Sequence, residues 1–150
     1  MSLLVDSIFI KSLQANAALE KAVGGRIYGS AVPVPDNNLL NVPVPYIVVS
    51  FDGFQNSTED KDDGTEGCED TVQVGILIVA DTLPALHTLM ESVRKVIREA
   101  CASVTEDNPR YDDYPEDYSV TGSAIGYDPD KPCYYFKFTY NCVVFNNTEK

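Results

Sequence analysis

TVQVGILIVAD, residues 71–81, sets Val72, Val74, Ile76, Ile78 and Ala80 on one alternation and Gln73, Gly75, Leu77 and Val79 on the other. Side chains two apart share a face of a strand, so this reads as a central strand, buried on one face and partly on the other. Thr82 follows as a helix cap, with Pro84 in the first turn, where a missing N–H breaks no helical bond. Leu86, Leu89, Met90, Val93, Ile97, Ala100 and Cys101 then recur at three- and four-residue steps, with His87, Glu91, Arg94, Lys95 and Arg98 on the other side. A long amphipathic helix is expected to lay its apolar stripe on the sheet.

Working outward, residues 46–54 (YIVVSFDGF) alternate Ile47, Val49 and Phe51 with Tyr46, Val48 and Ser50, a strand expected to pair antiparallel with the central one. Upstream, Leu4, Ile8, Phe9 and Leu13 make a first helical stripe, Asn16 caps a short second turn carrying Leu19 and Val23, and Gly24 and Gly25 end it. A short strand is expected at 26–29. Pro33, Pro35, Pro43 and Pro45 keep 31–45 extended. Downstream, a weak strand at 118–127, a turn at 128–131 and a strong strand at 132–145 form a hairpin. Tyr134, Phe136, Phe138, Tyr140, Cys142 and Val144 share one face of the strong strand, and Lys137, Thr139 and Asn141 the other. The order α-β-β-β-α-β-β holds no βαβ repeat. We expect one α+β domain over residues 1–150, with a single largely antiparallel sheet and two main helices on one face.

The chain has 44% hydrophobic and 23% charged residues, within the globular range, and no apolar run long enough to span a bilayer. Its beginning lacks the pattern of a secretion signal, so an intracellular protein is expected. Cys68, Cys101, Cys133 and Cys142 lack zinc or redox spacing and read as reduced thiols, with a disulfide through Cys133 or Cys142 left open. The net charge of −12 is uneven. Residues 52–70 hold Asp52, Glu59, Asp60, Asp62, Asp63, Glu66, Glu69 and Asp70 against Lys61. Residues 105–117 hold Glu106, Asp107, Asp112, Asp113, Glu116 and Asp117 against Arg110, with Tyr111 and Tyr114 interleaved. The rest of the chain is balanced, so the excess belongs to two loops that repel a phosphate backbone.

Catalytic and metal chemistry find little support in the pattern. His87 sits on the polar side of a helix with no nucleophile in sequence reach. A calcium loop counted from Gly64 puts Lys61 at a ligand position. Asp112 and Asp113 read as solvated acids, and the glycines match no phosphate-binding fingerprint. No catalytic, metal or cofactor residue is assigned, and the protein is expected not to be an enzyme. Arg94, Lys95 and Arg98 have a plain explanation, placement near a helix C-terminus and pairing with Glu91, and a sharper one, complementarity with the acidic loop of a neighbouring subunit.

The leucine-bearing first helix, GGRIYG at 24–29, VPYIVV at 44–49, the acidic hairpin loop, TVQV at 71–74 and the amphipathic helix together resemble the tail-completion family of long-tailed bacteriophages. That family includes tail terminators and head-to-tail joining proteins, and the likeness runs through residues 3–101 and the final hairpin. The resemblance implies a non-enzymatic virion component made in the host bacterial cytoplasm. It closes into a ring, commonly a hexamer, that caps the tail tube and faces the head connector, with DNA only passing through the lumen and no membrane partner. Glu59, Asp60, Asp62, Asp63, Glu66, Arg94, Lys95, Arg98, Tyr111 and Tyr114 are the candidate subunit or tail-tube contacts. Two alternatives stand beside it. One is a small ligand-binding or regulatory module with a sheet groove lined by Tyr134, Phe138 and Tyr140; the other is an acid-dependent hydrolase using Asp112 and Asp113.

Overall fold

The computed structural model describes residues 4–29, 43–56, 69–109 and 111–145. Helices α1 (Val5–Ala15) and α2 (Ala17–Ala22) lead into strands β1 (Ile27–Tyr28), β2 (Tyr46–Asn56) and β3 (Glu69–Ala80). Helix α3 (Leu83–Ser103), a 3-10 turn at Tyr111–Asp113, and strands β4 (Asp117–Gly122), β5 (Gly126–Asp128) and β6 (Cys133–Phe145) complete the order. The strands form one sheet in the order β1-β2-β3-β6-β4, with β5 also paired to β6.

Strand β3 is central because both of its edges are used: β2 pairs with it from Tyr46↔Val79 to Asn56↔Asp70, and β6 from Glu69↔Phe145 to Ala80↔Tyr134, both antiparallel. Its even-numbered residues Val72, Val74, Ile76 and Ile78 are fully buried under the helices. Removing each such side chain from water is worth about 1.5–3 kcal/mol, so this one row anchors the core. Leu86, Leu89, Val93 and Ile97 supply the facing stripe of α3, and Val5, Ile8, Phe9 and Leu13 that of α1. The helix boundaries follow the expected chemistry. Thr82 accepts a hydrogen bond from the Ala85 N–H and Asn16 from the Leu19 N–H, at 3.3 and 3.0 Å. Gly24 and Gly25 take φ of +61° and +74°, which side chains with a Cβ rarely adopt.

The α+β class and the helices on one sheet face stand as expected, with three differences of detail. The sheet is mixed rather than purely antiparallel, because β1 runs parallel to β2. The Ile47 N–H donates to the Arg26 carbonyl and the Arg26 Nε to the Pro45 carbonyl, and these fix that pairing. Second, the strand expected over 118–127 divides in two. Gly122 lies against the Phe136 ring and Gly126 against the Tyr135 ring, and between them three residues of one strand oppose two of β6, so the ladder is broken by a bulge-like slip. Third, β2 carries a register shift between Phe51 and Gly53.

The cysteines Cys101, Cys133 and Cys142 are free thiols; Cys68 lies outside the described residues. Cys133 and Cys142 sit nine positions apart on one strand and face opposite ways, so they cannot bridge each other. No helix among the described residues is long and apolar enough to cross a membrane.

Two stability predictions follow from the core. The Tyr140 ring is 1% exposed, packed edge-on to Phe9, and its hydroxyl has no hydrogen-bond partner among the described residues. Tyr140→Phe should therefore leave stability unchanged or raise it by up to about 1 kcal/mol in urea unfolding, whereas a clear loss would reveal a bond made by the hydroxyl. Burial pushes the Cys142 thiol up from 9.0 to about 12 and Cys101 to about 11. The folded state thus favours neutral thiols, a contribution complete below pH 9 and lost as pH rises towards 11 to 12. Cys142→Ala should flatten the fall in stability over that alkaline range, and an unchanged slope would remove the thiol as its cause.

Candidate functional site

Three surfaces remain once the core is assigned: one end of the sheet, its uncovered face, and the outer side of α3. The acidic segments meet at the first of these. The 57–68 connection leaves β2 at Asn56 and enters β3 at Glu69, while the segment after α3 enters β4 at Asp117, opposite Val143. Val143 is the partner of Thr71, so both acidic stretches issue from the same end of the sheet. Glu59, Asp60, Asp62, Asp63 and Glu66 lie outside the described residues. Asp70, at the foot of that connection, is 2% exposed and accepts a hydrogen bond from Asn56 Nδ2 at 2.7 Å. In the second segment Tyr111 is exposed, whereas Tyr114 packs on the core and anchors the loop. The Thr105 hydroxyl donates to the Asp107 carboxylate and holds its pKa below the usual range.

The face of the sheet opposite the helices is divided along its length. Towards the far end, Tyr46, Leu77, Val79, Cys133 and Tyr135 line a shallow recess of about 270 Å³, with Asp128 and Lys131 at its rim. The Lys131 ammonium stands 5.9 Å from the centre of the Tyr46 ring. Burial, then the nearby Cys133 and Asp128, raise the Tyr46 pKa. Towards the acidic end the face turns polar and nearly uncharged, with Ser50, Gly75, Thr139 and Thr121 in one row and Gly53, Gln73, Asn141 and Ser119 in the next. One ion pair crosses it: Lys137 Nζ lies 2.9 Å from Asp52 Oδ2, while the Ser50 hydroxyl donates to Asp52 Oδ1 at 2.7 Å. Gly75 makes room, since a Cβ there would fall 2.3 Å from Asp52 Oδ2.

The expected basic stripe of α3 is two surfaces. Lys95 lines a groove of about 380 Å³ against α2, alongside Asn16, Ala22, Ser92 and Glu99. Arg94 and Arg98 face the other way, where their charges act on the Tyr118 hydroxyl of β4 against the stronger effect of its burial. All three are exposed, and none makes an ion pair among the described residues, so pairing with Glu91 does not account for them.

The sheet groove expected at Tyr134, Phe138 and Tyr140 is filled by the core. Phe138 and Tyr140 are core residues under α1 and α3, and Tyr134 packs against that cluster, so no groove lies between them. No group of three or more His, Cys, Asp or Glu among the described residues could hold a metal ion, and His87 is exposed on α3.

Because Arg94 and Arg98 are exposed and make no ion pair among the described residues, Arg94→Ala/Arg98→Ala should change unfolding free energy by no more than about 0.5 kcal/mol. A loss of several times that would assign them a structural role within the subunit.

No protein-family model matches the sequence, and no curated protein matches it. Among solved structures, the chain superposes on one from "Virion of native gene transfer agent (GTA) particle" with a TM-score of 0.64. The match covers 95% of each chain at 12% identity. At that identity the likeness carries the fold: nearly the whole of this chain shares its architecture with a chain of a gene transfer agent virion.

Proposed function

We propose that this protein is a non-enzymatic structural component of a phage-like particle. In this reading it assembles with copies of itself into a ring that closes the tail tube and joins it to the head connector. The observation that carries the reading is the end-to-end likeness to a gene transfer agent virion chain, which agrees with the independent resemblance of residues 3–101 to tail-completion proteins.

The charge map is what such a ring needs. Two acidic segments leaving one end of each subunit would gather carboxylates around one rim, and a phosphate backbone passing a rim of like charge is repelled rather than held. Arg94 and Arg98, exposed and without an ion pair among the described residues, would supply opposite charge for a neighbour's acidic segment, which would guide encounter and register more than tighten the contact. The same map argues against nucleic-acid recognition as the protein's work.

Native mass measured over concentration and ionic strength tests the reading. The expected result is a discrete ring, alone or on addition of purified open-ended tail tubes, with Arg94→Glu/Arg98→Glu slowing its assembly at low salt and less so at high salt. A chain that stays monomeric alone and fails to bind tail-tube ends would overturn it.

A further inference from the structure

Among the described residues the sheet has two unfinished edges, and they match. On one side, between Asp117 and Asp128 at its two ends, the β4–β5 border runs through residues 118–127 (YSVTGSAIGY) with no charge and no proline, in a chain where 23% of residues are charged. Sheet edges left in water are normally guarded by such residues, because unpaired N–H and C=O groups recruit other strands. Ser119, Thr121, Gly122, Ser123, Ala124 and Ile125 are all exposed. The Ser123 N–H donates inward to the Lys137 carbonyl at 3.4 Å, so the alternation of an antiparallel ladder turns the backbone groups of Tyr118, Val120 and Gly122 outward; the Tyr118 N–H is taken by the Asp117 carboxylate at 2.8 Å, which leaves Val120 and Gly122 as the outward donors.

On the other side, β1 covers β2 only at Ile47 and Val48, and among the described residues no strand pairs with β2 beyond that. Asp52, Phe54 and Gln55 are exposed there, Phe54 at 46%. The Ile47 N–H points away from β3, to Arg26, so Phe51 points the same way. The extra residue of the bulge shifts the outward set by one, and Phe54 follows.

The rows of the sheet carry both edges. Phe51, Val74, Tyr140 and Val120 occupy one row, and Phe54, Val72, Cys142 and Tyr118 the next. Outward-facing positions on the two borders therefore stand at the same height, each pairing an apolar side chain with another on the helix-covered face. Strand directions also agree, since β4 runs antiparallel to β6, β6 to β3 and β3 to β2, so β4 is antiparallel to a β2 set beside it.

We infer that the β4 edge of one copy docks on the β2 edge of the next, continuing the sheet from subunit to subunit. The inference rests on the ring reading and names its contact. Charge selects this pairing over β4 against β4. A two-fold pairing would bring Arg94 and Arg98 of both copies together, whereas the head-to-tail pairing sets them beside a β2 border that opens into the acidic 52–70 segment. Edges level with one another repeat by rotation with no rise, the condition under which a head-to-tail contact closes into a ring rather than winding into a filament.

Gln55 and Asp117 test the contact, since both are exposed and share the row through Thr71 and Val143. In Gln55→Cys/Asp117→Cys, mild oxidation with diamide should give a ladder of disulfide-linked multimers that reductant collapses. Each single variant, which retains the native cysteines, should stay at background. A discrete ring by native mass whose double variant cross-links no more than the singles would overturn the edge contact and leave the ring standing. A double variant that neither assembles nor cross-links, where the unaltered protein also stays monomeric alone and with open-ended tail tubes, would overturn both.

Discussion

The fold depends on strand β3 being paired along both edges and covered on one face only. Its ladders to β2 and β6 run nearly its whole length, so neither neighbour can shift without displacing Val72, Val74, Ile76 and Ile78 from beneath α1 and α3. A slip of one residue would bring Gln73 and Gly75 into the core instead. The same constraint leaves the opposite face free. There the sheet carries an apolar recess at one end and a neutral polar field at the other, crossed by the Lys137–Asp52 pair.

Where the outcome is set by nearest neighbours in sequence, the sequence alone was enough. The two-residue period of 71–81, the Thr82 and Asn16 caps and the glycines after α2 are all local matters, and each stands where expected. Long-range geometry was not readable. The parallel β1 depends on Arg26 reaching Pro45 and Ile47, the gap between β4 and β5 depends on the Phe136 and Tyr135 rings beneath two glycines, and the bulge in β2 shows only as a change of register against β3.

The working surfaces divide in the same way. Composition located the acidic segments and the bases of α3, but only the topology brings both acidic stretches to one end and separates Lys95 from Arg94 and Arg98. Tyr114, which sequence placed among the contact residues, is half-buried against the core and positions the loop. The unguarded border at β4 had a readable trace in the uncharged run of 118–127, yet its meaning required knowing that the run lies at an edge.

Hydrogen–deuterium exchange compared between dilute subunit and assembled material addresses the central claim most directly, because it reads the backbone groups themselves. An assembly built by continuing the sheet should slow exchange at Val120 and Gly122 and at Phe51 and Phe54. The amides of β3, already bonded on both sides, should change little. Protection that instead appears only along α3 and its groove with α2, with both borders exchanging as in the free subunit, would contradict the account.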